Sequence, residues 1–404
     1  MNAPSSQYDV IVIGGGPAGL TAARVLRSAG GLRVLVVERN PELGGLPRFC
    51  SHPGWGMLDF GRIWRGPTYA RKLAEAARGI DIRVDTTVTA LIPAGGVEIA
   101  GRDGIERLQA RAVLLATGIR ETPRSARLVG GTRPWGVTTT GAFQEMATVG
   151  RMRPFRRPVI VGSELVSFSA LLTARHIGVE PVAMIEQGPR IVAQRPLGLV
   201  ARFAFGVPVI CGARLVEIVG TERVEAVVIE RNARRETIAC DGIIFSGGFT
   251  PEATIVRSGG LHIDAATGGP SIDQRWRCSE PSFFAAGNVI RPVEHSGFVA
   301  AEGRSAALAI VDVLRQGFHT IVPAVIVSPE GAARYVYPQR LVQLAGPVSL
   351  HGRADRPHRG RLRLIADDRT ILDRRIDTRP ERRISVTVDA AAIGDARRVR
   401  FVLD

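Results

Sequence analysis

The sequence predicts an α/β fold in which two βαβ units of the Rossmann dinucleotide-binding kind are joined to a small C-terminal all-β module. Three observations predict it. A strand, glycine turn, helix and strand pattern occupies the chain up to Glu38. The same pattern recurs around Val159 at a fixed offset of 148 residues, so that Gly14 to Glu38 and Gly162 to Glu186 both span 24 positions. From about Val322 onward, apolar and polar residues alternate with the period of two expected of half-buried strands. A chain of 404 residues has room for two or three such domains, each large enough to bury a core.

The first unit opens with the apolar run Val10-Ile11-Val12-Ile13, which leads directly into Gly14-Gly15-Gly16-Pro17-Ala18-Gly19. Pro17 to Ala29 reads as a helix, and Val34 to Val37 is a second apolar run ending in Glu38. Together these compose the G-x-G-x-x-G fingerprint with its terminal acid. Gly14 permits a tight turn, Gly16 lets the backbone approach a pyrophosphate, and Gly19 lets the helix pack closely on the strand. The pyrophosphate would rest on the helix N terminus, where unpaired N–H groups and the helix dipole favour negative charge. Glu38 would accept hydrogen bonds from a ribose.

After Glu38 the chain runs through Arg39 to Gly44-Gly45 into a loop, Leu46 to Gly56, that is rich in aromatic and special residues. Long loops of this kind in compact domains are usually functional. Pro67 to Arg78 reads as a helix, with its proline allowed in the first turn. Ile82 to Leu91, Val97 to Ala100 and Arg107 to Leu115 read as strands, the last entering the small-residue turn Ala116-Thr117-Gly118. Fingerprint, acid, Gly44-Gly45 and this last turn together resemble an FAD-binding domain of the glutathione-reductase class. The family's third FAD element is similar to Ser282 to Asn288, although the family usually places Asp where this chain has Asn288; an amide can still meet the flavin ribityl chain.

The resemblance implies that FAD lies against Gly14, Gly16, Pro17, Ala18, Gly19, Glu38, Arg39, Gly45, Leu46, Arg48, Val88, Ala116, Thr117, Gly118, Gly287 and Asn288. It further implies that a helix from Ser296 to Leu314 points its N terminus, with His295, Ser296 and Gly297, at the flavin pyrimidine ring, whose reduced form carries negative charge. In this class the second unit binds NAD(P)H. Here that unit consists of Val159-Ile160-Val161, Gly162, a helix from Leu165 to His176, and Val182 to Ile185 ending at Glu186. Its glycines are damaged: Glu164 stands for Gly16 and Ser167 for Gly19. A charge at ~4 Å from a pyrophosphate costs ~4 kcal/mol at an effective dielectric of about 20. The copy is therefore expected to be degenerate and its NAD(P) site doubtful. The resulting division is 1–125 and 243–320 for the FAD-binding domain, 126–242 for the degenerate unit and 321–404 for a β-sandwich-like module. Arg151 to Pro158 is expected to be a solvated linker, Arg133 to Gly141 a crossover loop leading into a helix, and Ile243 to Thr250 the return strand.

Composition narrows the function. The net charge of +15 rests almost wholly on arginine, with Lys72 the sole lysine, and no nucleic-acid motif accompanies it. No nucleic-acid partner is expected; an acidic protein partner or an anionic substrate is the remaining use for such charge. Cys50, Cys211, Cys240 and Cys278 form no C-x-x-C pair, which speaks against a redox dithiol, an iron–sulfur cluster or a zinc site and for a reducing cytoplasm. No apolar stretch is long enough for a membrane span, so no direct membrane insertion is expected.

Residues 8–316 further resemble the FAD subunit of dye-linked dehydrogenases, a group that includes opine oxidase, hydrogen cyanide synthase and proteins related to anaerobic glycerol-3-phosphate dehydrogenase. The segments Gly45 to Gly56 and Gly136 to Gly141 carry that likeness, while the C-terminal cysteine cluster of many such relatives is missing. The resemblance implies hydride transfer from a small amine, imino acid or hydroxy acid to FAD, and onward to a partner dehydrogenase or electron-transfer subunit or a quinone. Two alternatives stay open: an NAD(P)H-dependent reductase of a small electron-transfer protein, and a non-catalytic FAD electron-transfer subunit. His52 and His295 are the candidate catalytic bases. Cys50 reads as a buried small residue, and Trp55 as a wall of the pocket or as core.

Overall fold

The computed structural model describes residues 8–193, 195–318, 325–342 and 345–404. Tyr8–Ile13 is buried from Val10 onward, as a central strand covered on both faces requires. It pairs in parallel with Val34–Val37 on one side and Gly104–Leu115 on the other. Burying each Val, Leu or Ile of these runs contributes about 1.5–3 kcal/mol. The full order is Asp81–Arg83, Val34–Val37, Tyr8–Ile13, Gly104–Leu115, Gly96–Gly101 and Thr87–Ile92, with Phe283–Ala285 also paired to Gly104–Leu115. That last pairing returns the chain from the second unit to the first sheet.

One expected strand divides. Ile82 to Leu91 is two elements: Asp81–Arg83 runs parallel to Val34–Val37, whereas Thr87–Ile92 forms a hairpin with Gly96–Gly101. Asp85, between them, has φ of +48°, which extended backbone cannot contain. Its amide and that of Thr86 donate instead to the carbonyls of Asn40 and Glu38.

The second unit repeats the first. Strand residues pair 24 positions apart in both, Val10 with Val34 and Val159 with Ala183. Its five-stranded sheet runs Val137–Thr139, Gly242–Phe245, Pro158–Val161, Ala183–Glu186 and Val209–Cys211, and the helix Leu165–His176 falls where the sequence places it. Three expectations need correction. The expected return strand Ile243 to Thr250 divides: Gly242–Phe245 lies inside this second sheet, between Val137–Thr139 and Pro158–Val161, and Phe249–Pro251 leaves it to pair with Ile119–Glu121. The segment Arg133 to Gly141 contributes the edge strand Val137–Thr139 rather than loop alone. The basic linker is anchored at its centre: Phe155 is buried, stacks on Phe143 with ring centroids 5.3 Å apart, and the following amides of Arg156 and Arg157 donate to Asp241.

The C-terminal segment forms two sheets around one core. One is Arg340–Leu341, Val325–Gly331, Arg398–Leu403, His358–Ala366 and Arg369–Thr378; the other is Ala333–Tyr337, Pro347–Ala354 and Ile384–Asp389. Leu350, Leu362, Leu364, Ile384 and Phe401 fill the space between. Val322, where the sequence places the start of this pattern, lies outside the described residues. Tyr335 and Tyr337 belong to the core that also contains Ile11, Val113 and Phe283, so this module is packed onto the first unit. The long helix Ser296–Gln316 crosses the first helix, Pro17–Ser28, at Gly303, where a Cβ would stand 2.2 Å from the Ala18 carbonyl oxygen. The crossing sets the N termini of both helices on one side of the first sheet.

Candidate functional site

The turn after Tyr8–Ile13 is fixed by contacts only glycine allows. Gly14 has φ of +109°, and a Cβ there would lie 2.4 Å from the Ala116 carbonyl oxygen. A Cβ on Gly19 would come within 1.9 Å of the Gly14 oxygen, so the helix begins in contact with the turn. Gly16 is the helix N-cap, Pro17 follows it, and no side chain caps the exposed N–H groups. A Cβ at Gly16 would find only the Cα of Gly45, at 3.9 Å. The backbone there is open on one side and lined by a second glycine, which fits the close approach of a pyrophosphate. Glu38 is buried; its Oε2 accepts from the Gly15 amide at 2.7 Å and its Oε1 from Asn40. Ala18, Ala116 and Val299 form a small cluster, and Gly287 packs on Ala18 and Val299. Gly14, Gly16, Ala18, Glu38, Gly45, Ala116 and Gly287 are thus brought together around one cradle.

Other expected contacts lie differently. Thr117 gives its hydroxyl to the Glu252 carbonyl at 2.7 Å, which leaves its backbone for a ligand, and Gly118 is held by Glu252 N at 2.9 Å. Val88 turns its side chain into the core with Ile11 and Ile99. Arg48 is buried, paired with Glu42 at 3.0 Å and stacked over Phe49; Leu46 and Arg39 are exposed. The loop from Leu46 to Gly56 is more structured than its composition suggests: a 3-10 turn Leu46–Phe49, a hairpin of Pro53–Trp55 with Trp64–Arg65, and a short helix Met57–Phe60. Leu58 of that helix packs on Gly297, where a Cβ would be 2.5 Å from the Leu58 Cβ. Asp59 beside it accepts from the Tyr69 hydroxyl. Sequence reasoning missed this cover on the long helix; the Phe49–Trp64 aromatic density was its only signal.

At the head of the long helix, Asn288 Oδ1 accepts from Arg291 Nη1 at 3.1 Å and from the Glu294 amide at 2.9 Å. Its oxygen is committed inward, so the Nδ2 donor is the group left for a ribityl hydroxyl. Arg291 is fully buried and its Nη2 donates to both carboxylate oxygens of Glu302, at 2.6 and 2.7 Å; Tyr337 of the β module donates to the same carboxylate at 3.1 Å. An aspartate at 288 would have competed with Glu302 for this guanidinium.

The two histidines differ in tautomer. His295 caps the helix, its Nδ1 accepting from the Gly297 amide at 3.2 Å. A neutral His295 therefore carries its proton on Nε2 and is a donor. His52 lies with Nδ1 2.9 Å from the Pro53 carbonyl oxygen. A carbonyl can only accept, so Nδ1 holds the proton and Nε2 is the free lone pair. Its ring stands 5.8 Å from that of Trp55.

The second turn carries a side chain where the first has open space. A Cβ at Gly162 would lie 2.6 Å, and one at Gly247 2.2 Å, from the Glu164 carboxylate. Burial, and the negative charge of Glu186, push the Glu164 carboxyl up from its ordinary value despite hydrogen bonds and nearby Arg127. Arg127 donates to the carbonyls of Ser246 and Gly247. Glu186 accepts from the Ser163 hydroxyl and, at 2.6 Å, from the Gly188 amide, much as Glu38 accepts from Gly15 and Asn40, so the difference between the two turns lies at Glu164. These residues do not fit a second pyrophosphate. All four cysteines are free, and burial raises every thiol, Cys50 to about 12 and Cys240 to about 11. None is poised as a thiolate.

Comparison with known proteins agrees with this geometry. The chain is 27% identical over 352 residues to the alpha chain of sarcosine oxidase from Rhizobium meliloti (strain 1021), covering 80% of this chain and 32% of that one. It is 28% identical over 348 residues to one of the subunits of opine oxidase from Agrobacterium tumefaciens (strain Ach5), covering 77% and 67%. The chain thus spans about a third of the first relative and about two thirds of the second. Among solved structures, T. acidophilum thioredoxin reductase matches with a TM-score of 0.63 at 23% identity, over 76% of this chain and 99% of that one. The NAD-dependent persulfide reductase of A. fulgidus covers 94% of this chain and 71% of its own, with a TM-score of 0.60 at 19% identity. At those identities the likeness is one of fold. Residues 8–309 match the sequence family described as pyridine nucleotide-disulphide oxidoreductase. The protein is therefore an FAD-dependent oxidoreductase and belongs to the pyridine nucleotide-disulphide oxidoreductase family.

Proposed function

We propose that this chain is a dehydrogenase subunit that takes a hydride from a small amine, imino acid or hydroxy acid and passes electrons to a partner protein or quinone. One observation carries the reading: Glu164 fills the second glycine turn, leaving a single nucleotide cradle. Four free, high-pKa thiols support it further by leaving no dithiol relay. Bound FAD would supply the hydride acceptor; the protein's part is to hold it and to manage a substrate proton. Gly14, Gly16, Pro17, Gly19 and Gly45 would admit the pyrophosphate, Glu38 the ribose, and Asn288 Nδ2 the ribityl chain. Ser296 would present its helix N–H group to the pyrimidine edge, the Gly297 amide being held by His295.

His52 is the better candidate base, because its Nε2 lone pair is free, whereas His295 commits Nδ1 to its helix. The relatives named as subunits support work alongside other chains, and the exposed Leu46, Met57, Leu58 and Ile63 give an apolar face near the site for such a partner.

The test is anaerobic mixing of the purified, FAD-loaded protein with NADH, with NADPH, and with a panel of opines, proline derivatives, sarcosine and glycerol phosphate. Bleaching by a panel member and not by either nicotinamide is expected. Rapid bleaching by NADH or NADPH would overturn the reading in favour of a reductase.

A further inference from the structure

A cavity of about 350 Å³ opens between the long helix and the β module. Phe298, Ala301, Glu302 and Ser305 line it from the helix, and His351, Arg383 and Ser385 from the module, with Trp276 beside them; the Glu302 carboxylate is turned to Arg291 and Tyr337. Its volume falls in the range of small-molecule sites.

The charges around it do not cancel. Glu302 is shared by two guanidiniums: Arg291 holds it with two short bonds, and Arg383 reaches it only at 3.4 Å. Arg353 is matched separately with Glu294 at 2.9 Å. Among the described residues around the cavity, Arg383 is the least compensated cation. Its side chain is 15% exposed, its Nε is buried without a hydrogen-bond partner, and its planar face lies over the rings of Phe298 and Tyr337 at 5.2 and 5.7 Å. A buried guanidinium left undercompensated is costly unless something pairs with it. His351 adds no charge: burial and the neighbouring Arg383 and Arg291 hold its ring neutral, and its Nδ1 meets the Ser385 hydroxyl at 3.0 Å.

A second observation concerns Trp276, which also lines the cavity. Trp276 has φ of +66°, a conformation that a bulky side chain rarely adopts. It is held there by the turn around buried Asp273, which accepts from the amides of Arg275 and Arg277 and pairs with the Arg277 side chain at 2.9 Å. Strain of this sort persists where surrounding structure over-determines it, often at ligand clamps. Here it keeps an indole at the edge of a cavity that also holds the partly compensated Arg383.

We propose that this cavity binds a small carboxylate bearing an apolar or aromatic group. The carboxylate sits on Arg383 and the Ser385 hydroxyl, and the apolar part lies against Trp276 and Phe298. Arg383 gives a planar fork suited to a carboxylate.

The test uses the full-length, FAD-loaded protein and isothermal titration with benzoate, with benzyl alcohol as its uncharged counterpart and with inorganic phosphate. Benzoate should bind at one site, and each of the other two at least tenfold more weakly. Arg383→Met should weaken benzoate at least tenfold while flavin content stays unchanged. Should Arg383→Met fail to fold, Ala301→Trp decides, since it fills the cavity from the exposed face of the helix and leaves the ion network alone; the same loss is expected. The proposal is overturned if benzoate gives no binding heat, if benzyl alcohol or phosphate binds as well, or if these variants bind benzoate like the parent. It is equally overturned if benzoate perturbs the flavin absorbance and Arg383→Met does not change that perturbation, because the anion is then at the flavin.

Discussion

Replacing Gly16 by glutamate places in the first unit the residue that stands at the same position of the second. The fold should accept it. Gly16 is extended, with φ of −87° and ψ of −172°, and a Cβ there would touch only Gly45 Cα at 3.9 Å. The side chain then projects into the cradle. A carboxylate about 4 Å from the pyrophosphate, at an effective dielectric of about 20, costs about 4 kcal/mol, which is close to a thousandfold in Kd. Gly16→Glu should therefore purify colourless, with FAD affinity down about a thousandfold and a melting transition of the apoprotein like that of the stripped parent. Gly16→Ala separates bulk from charge and should lose less. Flavin absorbance per protein and FAD fluorescence quenching read the effect. A yellow Gly16→Glu protein with Kd within tenfold of the parent would sink the register of the first unit, and with it the reading of Glu164.

Other consequences are as direct. Arg291→Met leaves Glu302 buried with the Tyr337 hydroxyl and the longer contact to Arg383 as its partners, and should cost about 3 kcal/mol in denaturant unfolding; Arg291→Met with Glu302→Met should recover most of it. His295→Ala removes the acceptor of the Gly297 amide and should cost about 1 kcal/mol. His295→Asn, which can cap but not act as a base, should restore stability and leave flavin reduction by substrate unchanged, whereas His52→Ala should slow reduction on the order of a hundredfold. His351 is pushed down to about 3, chiefly by burial and then by Arg383 and Arg291. Between that value and its ordinary 6.5 the unfolded chain binds the extra proton, so stability falls on acidification through this window by up to about 1.4 kcal/mol per pH unit. Above pH 6.5 the effect is absent, and His351→Gln should flatten the slope between pH 6.5 and 5, measured by unfolding at each pH.

What the sequence made legible was local and steric. Gly14 and Gly19 meet backbone at contact distances that any Cβ would violate, so their spacing alone reports the turn. The duplication was legible because the two strand pairs keep one register. Contacts closed by distant segments were not. Nothing around Glu302 announces that Arg291, Tyr337 and Arg383 converge on it, although a glutamate in an otherwise small and apolar stretch of helix was a hint. The strand Val325–Gly331 was hidden by Pro329 and Glu330. It tolerates them because Arg340–Leu341 covers only Val325 and Ile326, leaving the proline on an open edge. The different tautomers of His52 and His295 depend on a carbonyl and an amide that composition cannot place.

The damaged second turn yields the sharpest remaining prediction, because two separate defects are present. Glu164 brings charge and bulk against Gly162 and Gly247. Ser167 adds a geometric one: its counterpart Gly19 lets the first helix start against the Gly14 carbonyl, an approach a Cβ would close to 1.9 Å, and Ser167 instead bonds the Ser246 hydroxyl at 2.8 Å. Removing the charge alone leaves the Ser167 side chain, held by Ser246, at the start of the helix. Glu164→Gly by itself should therefore gain at most about tenfold in NADH affinity, out of the roughly thousandfold that 4 kcal/mol represents. Glu164→Gly with Ser167→Gly should gain about a hundredfold or more, read by quenching of NADH fluorescence. If Glu164→Gly alone brings NADH binding into the micromolar range, charge was the sole barrier, and the lost glycine contact at the helix start has no part in keeping this unit free of nucleotide.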